Sequence, residues 1–331
     1  YASDTIASAN PMIFRNRLYN GGMFIWQRAT AGTSTAASTY TTADRWCGAL
    51  GTTNLTLTQS STVPTGSGYL YSLQVATTTT TASTPLIEQR IESSNVWDLL
   101  PGTNITVSFW AAQTSTPLMP LQINLLVPTT TRDTFSAQTQ TGSTVTTPTL
   151  SSTFTYYTAT FTLTAAGALT TTFNPGLAIR FTSGTTAAAC TFLITGVQLE
   201  KGSIASPFEY RPYGVELQLC QRYYCKTFPV LVPPVAGAGQ QGALLVTGGN
   251  STAAAALYLI TWVFPVQMFT APLVTTYNPS TAGQTGWYDQ AGANVAAAVS
   301  NNSTYAVVIY NSAVGTTGRN AGIHATASAE L

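Results

Sequence analysis

Residues 194–224 read ITGVQLEKGSIASPFEYRPYGVELQLCQRYY, and the organisation of the chain turns on them. Phe192, Ile194, Val197 and Leu199 are apolar or β-branched and alternate as a strand does, with one slip at Gly196. Residues 200–205 follow as a loop carrying Glu200 and Lys201. Pro207 and Pro212 fix their own φ and keep the next stretch out of helix. From Gly214 the spacing changes to Val215, Leu217, Leu219/Cys220 and Tyr223/Tyr224, which fits one short amphipathic helix over residues 214–226. A strand closes one β domain, a belt of aromatic and ionic residues crosses its end, and a helix leads onward to a second.

The segments on either side agree with this division. Upstream, short alternating runs at 55–59, 69–75, 86–91, 105–110, 121–127, 154–163, 177–181 and 190–199 are separated by turns such as Pro64-Thr65-Gly66 and Pro101-Gly102. Residues 29–42 and 135–149 read as polar loops. Regular short strands of this kind suit a sandwich or jelly roll over residues 14–213. Downstream, runs at 243–246, 254–263, 268–277, 295–299, 305–310 and 323–328 predict a smaller β-sandwich over residues 227–331. Residues 1–13 are small and polar and read as an arm or connector.

Composition points the same way. The 331 residues suggest two domains, and 44% hydrophobic residues suffice for real cores. Only 7% are charged, against roughly 25% in ordinary soluble domains. Thr, Ser, Asn and Gln must supply the polar surface, and β-branched Thr favours strands. The net charge is +1 with no basic patch, which argues against nucleic-acid binding. No apolar run reaches the ~18 residues of a membrane-spanning helix. Four cysteines are too few for a disulfide scaffold; Cys47 and Cys190 read as buried thiols, with a bridge between them as the other reading. One histidine and no CxxC give no zinc site, and no cofactor motif is present.

Four groups of residues could carry chemistry. Asp44-Arg45-Trp46 reads as a buried arginine–carboxylate contact beneath a core tryptophan, or as a sugar site. Glu88, Arg90 and Glu92 alternate on one strand. Glycosidases set two carboxylates roughly 5 to 9.5 Å apart, whereas strand rise separates these two backbones by about 13 Å. Arg90 between them would also keep both ionised, so the cluster reads as structural. Glu200-Lys201 and Glu209 with Arg211 read as a salt-bridge belt at the exit of the first domain; Glu200 with the backbone near Asn20 is a calcium candidate. Trp287-Tyr288-Asp289-Gln290, with Tyr305 nearby, reads as an exposed loop where aromatic rings stack on sugar faces and polar groups bond hydroxyls, or as a loop packed on a neighbouring subunit.

The opening stretch also resembles the segment that closes the jelly roll in phage and prophage tail-fibre and related virion surface proteins, where a QLE-x-G-x-x-A-x-PFE-x-RP run precedes E-L-x-x-CQRYY. NGGMFIWQRAT (20–30), YTTADRWC (40–47), ITVSFWAA (105–112), FPVQMFTAPLVTTYNP (264–279) and the final ATASAEL match in order. The resemblance implies a jelly roll like that of carbohydrate-binding modules. It also implies a place on the virion surface as a tail fibre or spike, contact with other virion proteins and a host-surface glycan, and a homotrimer. A capsid decoration, head-fibre or minor capsid protein, and a polysaccharide depolymerase, are the rival expectations.

Overall fold

The computed structural model describes residues 14–34, 39–48, 55–77, 86–116, 118–183, 190–246, 258–290, 292–311 and 320–331. The chain is almost entirely β. Eleven strands precede the helix: β1 (Ala31–Ser34), β2 (Cys47–Gly48), β3 (Leu55–Ser60), β4 (Ser72–Thr77), β5 (Leu86–Ile91), β6 (Asn104–Gln113), β7 (Pro120–Pro128), β8 (Gln138–Thr149), β9 (Thr155–Thr162), β10 (Leu177–Ser183) and β11 (Thr191–Lys201). They form two antiparallel sheets, ordered β1-β3-β4-β11-β6-β9 and β2-β5-β10-β7-β8.

Counted as eight, β4 to β11 run first, eighth, third, sixth in one sheet and second, seventh, fourth, fifth in the other. That is the order two interlocked Greek keys give a jelly roll. Alternation drives the packing. Ile105, Val107, Phe109 and Ala111 of β6 and Tyr157, Ala159 and Phe161 of β9 point into one shared core, while Thr158, Thr160 and Thr162 face out. Phe109 stacks on Tyr157 at 5.6 Å and meets Phe181 edge-on at 5.0 Å. Residues 14–28 lie over one end of the sandwich, where Leu18, Met23 and Trp26 join the core.

The slip expected at Gly196 is a bulge in β11, where pairing with β6 shifts between Thr195 and Gln198. Gly196 has φ +62°, and a Cβ there would lie 2.4 Å from the Tyr69 hydroxyl. The bulge lets Tyr69 close over the strand.

The helix α1 (Tyr213–Gln221) is shorter than expected. Tyr223 and Tyr224 lie past its end, and Tyr224 already belongs to β12 (Tyr224–Lys226). Its buried residues are Glu216 and Cys220, not Val215 and Leu217. The reason is a polar contact: the Glu216 carboxylate accepts hydrogen bonds from the Asn20 backbone N–H and from Arg211. Two other expectations also need correcting. β8 occupies the supposed loop at 135–149, and β1 occupies part of the one at 29–42.

The second unit contains β13 (Leu244–Val246), β14 (Leu259–Val263), β15 (Leu273–Tyr277), β16 (Trp287–Asp289), β17 (Asn294–Val295), β18 (Ala297–Ser300), β19 (Ala306–Asn311) and β20 (Ala321–Ser328). β20 is its axis, pairing with β12 and β13 along one edge and with β15 and β16 along the other. A three-stranded sheet, β14-β19-β18, completes it. Tyr258, Trp262, Met268, Trp287, Val307, Ile309 and Ile323 form its core. The arm at residues 1–13 and the strand start at 254–257 lie outside the described residues.

Candidate functional site

The expected ionic residues are paired, Glu88 with Arg90 and Glu209 with Arg211 as expected and the others with different partners, several of them across the junction of the two units. Arg45 is buried, with 1% of its side chain exposed, and pairs with Glu330 rather than with Asp44. Its guanidinium lies 3.5 Å from the Tyr223 ring centroid and donates to the Arg90 carbonyl at 2.5 Å. Arg28 stacks on Tyr224 at 3.7 Å and bonds the other Glu330 oxygen at 2.9 Å. Burial alone would lower the pKa of both arginines; Glu330 outweighs it and raises them, so both stay charged. Asp44 accepts from the Gln27 backbone and side chain and lies 4.0 Å from Arg28. Burial pushes its carboxyl up, and Arg28 and Gln27 hold it back. Trp46 is fully buried, as expected, with its indole N–H on the Asn20 carbonyl.

Of the expected cluster, Glu88 and Arg90 pair and Glu92 does not. Glu88 is fully buried between Arg90 at 2.7 Å and Arg180 at 2.6 Å. Glu92 pairs instead with Arg222 at 3.0 Å, across the junction. Arg90 reaches the Leu331 carbonyl. The belt after β11 is half as expected: Glu209 meets Arg211 at 3.6 Å and takes the Phe14 and Asn16 backbone N–H groups at 2.7 Å each. Glu200 does not pair with Lys201, which turns to Asp98 at 3.4 Å. Both Glu200 oxygens bond Ser206, while Asn20 bonds Ile25 and the Asp44 carbonyl. The two members of the calcium candidate are therefore spent in separate networks. Cys47, Cys190, Cys220 and Cys225 are all buried free thiols.

The expected sugar loop is not a loop. Trp287 and Asp289 lie on β16 and are fully buried: Trp287 packs on Tyr258 at 5.8 Å, and Asp289 accepts the Ala293 N–H at 2.9 Å to hold the following turn. Strand alternation sends only Tyr288 outward. Tyr288 and the exposed Gln290 line a recess of about 410 Å³ with Gln240, Leu245, Asn320 and Gly322. Tyr305, 60% exposed, lies in the turn between β18 and β19, on the other sheet.

A groove that the residue reading did not single out lies on the outer face of the larger sheet. Its volume is about 370 Å³. Trp110, Ala112 and Leu193 form its floor, and residues 62–65 and 152–154 its walls. Trp110 contacts the exposed ring of Tyr156 at 5.3 Å. Beside it the Gly196 bulge seats Tyr69 against Phe208 at 5.3 Å and Tyr210 at 5.6 Å, continuing an aromatic band along the sheet. The signal was present in the sequence: in FWAA, Phe109 points inward, so Trp110 must point out.

Among the described residues, no charged side chain lines either cavity. Every carboxylate among the described residues is tied to a cation or to N–H and O–H donors, Asp98 to Arg17 and Asp133 to Ser93 included. Aromatic surface and neutral hydrogen-bonding groups are what these cavities offer a ligand.

No protein-family profile and no curated protein matches the chain. Three solved structures are similar in part. The enzymatically active domain of tailspike protein 4 of bacteriophage CBA120 is 18% identical over 57% of this chain, with a TM-score of 0.37; the match spans 22% of that chain. The N-terminal cellulose-binding domain of Cellulomonas fimi β-1,4-glucanase C is 18% identical over 41% of this chain and 80% of its own, with a TM-score of 0.29. The CBM22-1 xylan-binding domain of Paenibacillus barcinonensis Xyn10C is 11% identical over 54% and 99%, with a TM-score of 0.30.

Proposed function

We propose that this protein is a non-enzymatic virion surface component, of the tail-fibre or spike kind, that binds an uncharged host-surface glycan in the groove on the larger sheet. The observation that carries the reading is the Trp110–Tyr156 pair, presented on a charge-free floor between two hydroxyl-rich walls. Ring faces stack on the apolar faces of sugars, and Thr and Ser hydroxyls exchange hydrogen bonds with sugar hydroxyls. Such contacts are individually weak, and display in several copies of the chain multiplies them. Two features favour binding over cleavage. Among the described residues the carboxylates are held by their own partners and neither cavity contains one, whereas a glycosidase needs two at one cleft.

Trp110→Ala should weaken retention on a neutral polysaccharide gel about tenfold or more, with an unchanged melting temperature. Unaltered retention removes the groove as the site and favours the rival reading, a capsid decoration without a receptor role. Immunogold labelling of intact particles tests the placement: label confined to the capsid shell would overturn the tail assignment.

A further inference from the structure

We propose that the smaller unit carries a second subsite, a slot floored by Gly322 that takes one uncharged pyranose ring; this rests on the glycan-binding reading above. Leu245, Gly322 and Tyr288 are direct partners across β13, β20 and β16. Residues paired in one row of a sheet project to the same face. The row therefore places an aliphatic side chain and an aromatic ring on either side of a position with no side chain. Gly322 does not have the positive φ that would call for glycine. Its missing side chain counts as space rather than as backbone freedom. A Cβ there would lie 3.1 Å from a Leu245 methyl carbon, so any substituent begins to fill the slot.

The rim supplies the polar half. Gln240, Gln290 and Asn320 are exposed primary amides at the edge of the recess, and their side chains have no hydrogen-bond partner among the described residues. Each amide offers two N–H donors and a carbonyl acceptor, the complement of a vicinal diol. The volume of about 410 Å³ suits a small ligand. Among the described residues the lining carries no formal charge, so the slot presents neutral amides, an aliphatic side chain and an aromatic ring. The ion-paired junction holds the two units together, so one polymer chain engaging both subsites gains from their proximity.

The test is affinity electrophoresis of the whole chain through gels containing dextran, xylan or galactomannan. It compares the unmodified protein with Trp110→Ala, Tyr288→Ala, Gln290→Ala and the Trp110→Ala/Tyr288→Ala and Trp110→Ala/Gln290→Ala pairs. Gln290 is solvent-exposed, so its variant guards against loss through misfolding. Trp110→Ala should keep residual retention on one of the three polymers, and either second substitution should weaken that residue about tenfold further. The inference is overturned if Trp110→Ala alone abolishes retention, or if Tyr288→Ala and Gln290→Ala leave it unchanged in both backgrounds. If Trp110→Ala is silent and Tyr288→Ala abolishes retention, the groove reading fails and the slot stands. Absence of retention on all three polymers by the unmodified protein overturns both.

Discussion

Replacing Glu330 with Gln keeps the side chain's size and removes the one charge that two buried arginines share. In the intact protein, Arg28 and Arg45 grip one oxygen each, with side-chain exposures of 10% and 1% against 8% for Glu330. After the change Arg28 keeps Asp44 at 4.0 Å as a distant partner. Arg45 keeps the Arg90 carbonyl and the Tyr223 and Tyr40 rings, none of them charged. Exposed pairs are worth at most about 1 kcal/mol, but breaking a buried pair from one side typically costs about 3–5 kcal/mol. With Asp44 as a partial substitute the lower end applies, about 3 kcal/mol, or roughly a hundredfold in the population of the separated state. Glu330 lies just past β20, whereas Arg28 and Arg45 belong to the larger sandwich, so the loss acts on the junction. Urea unfolding followed by tryptophan fluorescence should become biphasic, with the smaller unit melting first. Arg45→Met combined with Glu330→Gln should cost less than the sum of the single changes. A single transition shifted by less than about 1 kcal/mol would show that the cluster behaves as a surface contact, and would refute the reasoning.

Three further outcomes follow from named contacts. Gly196→Val should destabilise the larger sandwich by about 2 kcal/mol or more, since it forces a β-branched residue to a positive φ against Tyr69; a melting temperature equal to that of the unmodified protein would contradict the bulge. Trp287→Ala should cost about 3–5 kcal/mol of folding stability as a core truncation, and circular dichroism melting distinguishes this from loss of a surface contact. Burial pushes the thiols of Cys47 and Cys225 up to about 12 from an ordinary 9.0. Their folded-state pKa values are raised, so the stability they contribute is intact below pH 9.0 and declines as pH rises toward 12. Urea midpoints from pH 8 to 11, compared with Cys47→Ala, check the sign. A thiol reagent should react with no cysteine before unfolding and with four after it.

Some of the fold was legible because it depends on local pattern. The period-two runs gave β5, β6, β9, β10 and β11, since a strand buried on one face must alternate. β8 was not legible. It carries Thr at six of its twelve positions and forms the outer edge of its sheet, so few of its residues need to be apolar. Trp287 was misplaced for a related reason. Flanking glycines suggested a loop around Trp287, but pairing of β16 with β20 made it a strand and fixed which face turned inward. In the helix, Glu216 lies inside because Asn20 and Arg211, distant in sequence, complete its hydrogen bonds.

The sequence by itself determined an all-β chain of two units with neutral surfaces, because strand period, turn residues and charge content act locally or in bulk. Only the tertiary structure decided the partners distant in sequence: Arg45 with Glu330, Glu92 with Arg222, Glu88 with Arg180. It also decided which aromatic rings stay at the surface. A buried charge takes whichever opposite charge the packing brings within reach, and nothing in residue spacing measures that distance.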